Sequence, residues 1–245
     1  MVLQFKWRSL EEARTHVDQS RKSLYLVGGV AMLACGVFYY MGMILSLVLG
    51  PAPTNGQAYL TALSTHVQTA QLNFLVFSVV DILLIPVTFA LYFALKAVSR
   101  NTMLIASALM ILFSVFDLGV TELTSFAAVS LSQSYATATT DAARASYIAA
   151  ANYALAVLPV ATFLSYVISS VGILVIGLVM MRGIFLRIAA AFGIATGIVG
   201  TLGGFYVFVP SLSIFLIVSL VLFGIWTTFS GIRLFRLGVG RTKHT

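Results

Sequence analysis

Six long apolar runs fill most of the 245-residue chain, and only short polar stretches separate them. The runs cover roughly residues 24–49, 71–95, 102–131, 151–181, 184–208 and 212–234. A helix needs about 20 apolar residues to cross the hydrocarbon core of a bilayer. Each run meets that length, and none shows the ten-residue alternation of a membrane β-strand. The pattern therefore predicts an all-α fold, a polytopic transmembrane bundle of six helices. The first run is too long for a signal-peptide core and lacks a clean small-residue cleavage site, so it reads as a retained helix.

Composition agrees with this pattern. Hydrophobic residues make up 60% of the chain and charged residues only 9%, and the mean hydropathy is +1.03. A soluble domain carries about a quarter charged residues because water must wet its surface. This chain has too few for such a shell, so lipid is its main solvent. No polar stretch is long enough to fold by itself. The expected organisation is an N-terminal segment over 1–23, a six-helix domain over 24–234 and a basic tail over 235–245.

The net charge of +7 would raise nucleic acid as a partner for a soluble protein. Here the basic residues sit in short flanks between apolar runs, which is a pattern of orientation and excludes a phosphate-binding face. With the N-terminus in the cytoplasm, thirteen of the fourteen Lys and Arg residues fall on the cytoplasmic side, and only Arg144 lies outside. Both termini are therefore expected in the cytoplasm. In the first 23 residues Leu3, Trp7, Leu10 and Val17 recur at near-helical spacing. This suggests either an interfacial amphipathic helix or a solvated tail. Outside, residues 51–70 hold a short helix carrying Tyr59, Leu63 and Val67, and Thr140-Asp141 starts another that runs into the fourth span.

The informative residues are the charges inside the membrane: Asp81 in the second span, and Asp117 and Glu122 in the third. No Lys, Arg or His lies deep in any span to neutralise them. An ionised carboxylate at a helix centre costs about 2.5–3.5 kcal/mol on insertion scales. Such a group must face the interior, take up a proton or hold a cation. Asp81 lies 15 residues from Lys96 and Asp117 lies 17 from Arg100. At about 1.5 Å per residue both are about 22–26 Å above the same loop, so on adjacent helices they can meet and share a proton or a cation. Glu122 is five residues beyond Asp117, about 140° around an α-helix. It is therefore expected on another face, nearer the outer surface, within reach of His66 or Arg144.

Polar residues surround these carboxylates: Ser78 and Thr88 on the second span, Ser107, Ser114, Thr121 and Thr124 on the third, and Thr162, Ser165, Tyr166 and Ser169 on the fourth. They predict one polar interior track, unless the hydroxyls only bond back to their own helices. Pro86 and Pro159 free the carbonyls of Ile82 and Leu155, as in broken transporter helices or in plain kinks. Gly193, Gly197, Gly200 and Gly204 lie on one face of the fifth span and allow another backbone to approach, whether from this chain or from a second subunit. Cys35 reads as a small buried hydrophobe, since a single cysteine can form no intrachain disulfide.

Absent motifs narrow the chemistry. The histidines are His16, His66 and His244, none in a membrane core, and no Walker A, GxSxG or HExxH segment occurs. No catalytic residue, metal site or cofactor is assigned, and enzyme activity is not expected. The basic loops LKAVSRN and MRGIFLR join two similar hairpins, a faint parallel repeat.

The second half carries the segments FLRIAAAFGIATGIVG and FGIWTTFSGIRLFRLG. Over roughly residues 70–238 the chain resembles an uncharacterised domain-of-unknown-function family of small multi-span prokaryotic membrane proteins. The resemblance implies a prokaryotic plasma-membrane protein and transfers no functional residues. The leading expectation is a non-catalytic subunit or accessory protein of a membrane assembly, partnered by the bilayer and by other subunits or copies of itself. The alternative is a proton- or cation-linked small-molecule carrier or channel that uses Asp81 and Asp117. A lipid-directed enzyme built on His66 and Glu122 is a lesser reading.

Overall fold

The computed structural model describes residues 19–51 and 53–240. The expected amphipathic pattern of Leu3, Trp7, Leu10 and Val17 lies outside these residues, as do His16, His244, Arg241 and Lys243. Among the described residues every regular element is helical. In chain order these are α1 (Lys22–Leu49), α2 (Gly56–Thr65), α3 (Val67–Leu95), α4 (Arg100–Phe116), α5 (Leu123–Thr137), α6 (Asp141–Met180), α7 (Arg187–Gly204) and α8 (Ser213–Val239). A π-helical turn, Asp117–Glu122, joins α4 to α5 without a break in the rod.

Six helices are long and apolar enough to cross a membrane: α1, α3, the α4–α5 rod, α6, α7 and α8. The protein is a polytopic membrane protein of the plasma membrane. The long runs are helices because lipid offers no hydrogen bonds, so each backbone N–H and C=O must be satisfied within its own segment. Their outward faces are correspondingly apolar, with Val37, Leu47, Ile82, Leu104, Val115 and Ile217 all exposed.

The spans pack as a ring in sequence order: α1 on α3, α3 on α4, α4 on α6, α6 on α7, α7 on α8, and α8 back on α1. A helix in such a ring turns one stripe outward to lipid and another inward. The main buried cluster runs through it, with Tyr25, Met32, Leu91, Met103, Ile176, Met180, Trp226 and Leu234 fully or almost fully buried.

Two rods are longer than a membrane requires. The 40 residues of α6 extend about 60 Å, against a hydrocarbon core of about 30 Å. The excess forms a cap in which α2, α5 and the start of α6 pack together around Tyr59, Leu60, Leu63, Ala128, Val129 and Ala151. The outer helix predicted to start at Thr140-Asp141 is present, and the short outer helix carries Tyr59 and Leu63, whereas Val67 begins α3. The Asn55 side chain accepts from the Ala58 N–H at 2.9 Å, and Thr140 Oγ1 accepts from the Ala143 N–H at 3.3 Å. Asn152 Oδ1 accepts from the Gly56 N–H at 2.7 Å, tying the α2 start to α6.

The glycine face of α7 meets helices of this same chain. A Cβ at Gly197 would lie 2.7 Å from the Leu174 backbone on α6, and one at Gly193 would lie 2.8 Å from Trp226 Nε1 on α8. Gly200 faces Ser170 and Ser219, and Gly204 faces Tyr166 and Val167. From the α6 side, a Cβ at Gly177 would lie 2.7 Å from the Ile194 nitrogen and 3.0 Å from the Gly193 carbonyl carbon. These are backbone contacts that no rotamer change relieves. Cys35 is buried, as expected, and its thiol points to the Val80 carbonyl at 3.7 Å.

Gly177→Leu is expected to force α6 from α7 and destabilise the protein by about 3 kcal/mol or abolish folding. Gly119→Leu, where the added Cβ meets nothing within 4 Å, is the control. Thermal unfolding in detergent separates the two.

Candidate functional site

The carboxylates of Asp81, Asp117 and Glu122 converge inside the ring. Each contributes an oxygen, and these oxygens lie within 4.8 Å of one another. Asp81 and Asp117 meet, as their equal depth predicts. Glu122 departs from expectation: it joins them, and is only 6% exposed.

The π turn is the reason. The Leu123 N–H reaches back five residues to the Leu118 carbonyl, where an α-helix would reach back four. At about 4.4 residues per turn, a residue five positions on lies only about 50° around the axis. The α-helical figure of about 140° fails because the helix is locally wider. Such turns are frequent at functional sites, and nothing in the local composition DLGVTE announces one. Glu122 is therefore not positioned for the outer cations. His66 is exposed at the α2–α3 junction, and Arg144 Nε donates to the Ala138 carbonyl at 3.2 Å.

The three groups line a cavity of about 210 Å³. Among its walls are Thr121, Thr162, Ser165, Tyr166 and Ser169 from the expected polar track. Ser165 Oγ donates to Asp117 Oδ1 at 2.6 Å and so fixes that carboxylate from α6. Asp81 Oδ2, Glu122 Oε2 and Thr121 Oγ1 are buried and find no hydrogen-bond partner.

Other residues of the expected track lie elsewhere or serve their own helices. Ser78 Oγ donates to the Phe74 carbonyl at 2.9 Å and Thr88 Oγ1 to the Leu84 carbonyl at 2.7 Å. Ser114 and Ser107 are buried without partners and are not among the cavity walls. Conversely, Tyr39, Phe77, Phe113 and Phe223 line the cavity and carry no sequence signal, since each is one aromatic within an apolar run. Ser170, Thr196, Gly200 and Ser219 complete the side formed by α6, α7 and α8.

A family model for a domain of unknown function, DUF4386, matches residues 24–238. The chain belongs to the DUF4386 family. The match spans all six membrane helices and so contains the whole carboxylate site. No curated protein and no solved structure matches the chain. In this chain the DUF4386 domain is a six-helix membrane domain with a buried intramembrane Asp/Asp/Glu cluster.

The electrostatics of that cluster restrict its states. Two unit charges 4.8 Å apart repel by about 3.5 kcal/mol at an effective dielectric of about 20. Three such pairs come to about 10 kcal/mol, comparable with the net stability of a whole domain. Among the described residues no Lys, Arg or His is part of the cavity walls. A triply ionised, uncompensated cluster is therefore strongly disfavoured.

The π turn carries one residue more than an α-helix would. Deleting Gly119 is expected to yield a regular helix with the Glu122 carboxylate at i+4 from Asp117, about 40° around the axis, and a folded protein. Inserting one alanine after Gly119 swings that carboxylate by about a further 100°. The insertion is expected to destabilise the protein by about 3 kcal/mol as it turns the Glu122 carboxyl group out of the cavity and into packed or lipid-facing surroundings. Thermal unfolding of both variants checks the pair.

Proposed function

We propose that this chain is a small-molecule carrier or channel linked to protons or cations, with Asp81, Asp117 and Glu122 as the coupling group. The observation that carries this reading is three mutually close carboxylates without a counter-cation, lining a cavity at the centre of the ring. Buried ionisable groups in membrane spans mark ion and substrate pathways, because burying them without use is costly. Ser165, which holds Asp117, comes from the facing rod. A proton or cation arriving at the cluster thus acts on two rods at once.

The same observations weaken the reading as an accessory subunit. That reading has the chain pack into an assembly through its glycine face and polar interior, and the glycine face of α7 packs on α6 and α8 of the same chain. The lipid-directed enzyme rested on His66 and Glu122, and Glu122 instead belongs to the central cluster.

In the proposed cycle protons and cations compete for the same oxygens. Among the described residues the other titratable groups lining the cavity are Tyr39 and Tyr166, and the Cys35 thiol points to the carbonyl of Val80, next to Asp81 in the chain. All are acids, neutral when protonated, so none supplies a competing positive charge. Cation affinity is therefore expected to rise with pH, as bound protons leave.

Proteoliposomes with an entrapped pH dye test the reading under imposed gradients of Na⁺, K⁺ and tetraethylammonium. The expected result is proton counterflow with at least one of them, reduced at least tenfold by Asp81→Asn and by Glu122→Gln. Equal counterflow in Asp81→Asn, or none from the unaltered protein under every gradient, overturns it.

A further inference from the structure

We propose that the molecule bound in the central cavity is a small organic ammonium ion; this rests on the carrier reading and specifies its cargo. Two independent features of the cavity point to it. The first is the unpartnered oxygens. Asp81 is 3% and Glu122 6% exposed, yet Asp81 Oδ2 and Glu122 Oε2 have no hydrogen-bond partner, and both residues line the cavity. Buried carboxylate oxygens left without a donor call for a positively charged group or a proton.

The second feature is the remaining wall. Tyr39, Phe77, Phe113 and Phe223 line the same space as the carboxylates. Tyr39 lies 4.8 Å from Phe223 and 5.9 Å from Phe77, centroid to centroid, so three of these rings form one contiguous group. Aromatic rings attract cations through their quadrupoles, and alkylammonium ions are recognised in this way. Aromatic rings and carboxylates lining one cavity thus match both the apolar substituents and the charge of such an ion.

Volume separates this class from an inorganic cation. A cavity of about 210 Å³ holds about seven times the volume of one water, at about 30 Å³ each. A single metal ion held by the carboxylates and Thr121 would fill only a small part of that space, whereas an alkylammonium ion of about five to ten heavy atoms would occupy much more of it. Charge is conserved if each ammonium ion that enters releases a proton from the cluster: a carboxyl O–H bond breaks, the proton passes to water, and the carboxylate pairs with the nitrogen.

Calorimetric titration of the purified full chain in detergent tests this with choline, tetraethylammonium, Mg²⁺, Ca²⁺ and 3,3-dimethylbutan-1-ol, the neutral isostere of choline. The expected result is saturable binding of an ammonium ion, at least tenfold tighter than the isostere. Asp81→Asn should weaken it at least tenfold. Phe223→Leu and Phe113→Leu keep an apolar wall while removing a ring, and at least one should weaken it about threefold or more. Equal binding of the isostere, no binding of either ammonium ion, or unchanged affinity in both ring variants overturns the proposal. Binding of Mg²⁺ or Ca²⁺ alone overturns it in favour of a metal site. Counterflow that still depends on Asp81 would then leave the carrier reading standing, whereas loss of that dependence removes both.

Discussion

The mutual repulsion of three carboxyl groups inside a lipid-embedded ring governs the rest of this structure. Their oxygens lie within 4.8 Å of one another, and no basic side chain is among the cavity walls. Burial removes them from most of the water that would otherwise screen them. Three full negative charges there are therefore strongly disfavoured. The surroundings hold the groups together nonetheless: Ser165 orients Asp117 from the facing rod, the π turn delivers Glu122, and Pro86 interrupts the hydrogen bonding of the helix that carries Asp81.

The ring supplies the setting. Each span packs on its neighbours in sequence, and the last closes on the first, so every span keeps an inner stripe. Close packing is secured on the α6–α7–α8 side by glycines that let backbones touch. The centre of the ring is less filled, and there the polar side chains of α6, α7 and α8 face the carboxylates of α3 and the π turn. A tight wall beside an open centre is the division expected of a protein that must hold its shape while something passes or binds within it. The long α4–α5 and α6 rods carry this centre into a cap of their own, packed on α2.

Much of the site was legible in the chain. Asp81 and Asp117 were placed at one depth by counting from the basic loop, and the hydroxyls of Thr162, Ser165, Tyr166 and Ser169 were assigned to an interior face by helical spacing. Both rest on the regular rise and rotation of an α-helix, which hold wherever the helix is regular. Glu122 was misplaced because helix rotation changes at a π turn, and its placement depends on packing between rods. The aromatic wall was silent for a different reason. In a membrane span lipid-facing and core-facing rings look alike in sequence, since both solvents are apolar.

The sequence by itself determined the number of spans, the helical class, the basic side of each loop and the presence of three carboxylates without counter-charges. These follow from the free energy of placing residues in lipid, which acts on each segment independently. Only the tertiary structure decided that the three carboxylates form one group, that the glycine face is used within the chain, and that aromatic rings line the same cavity. Each of these depends on which stripe of a helix faces which neighbour. That choice is made by packing among six helices at once, and no single segment encodes it.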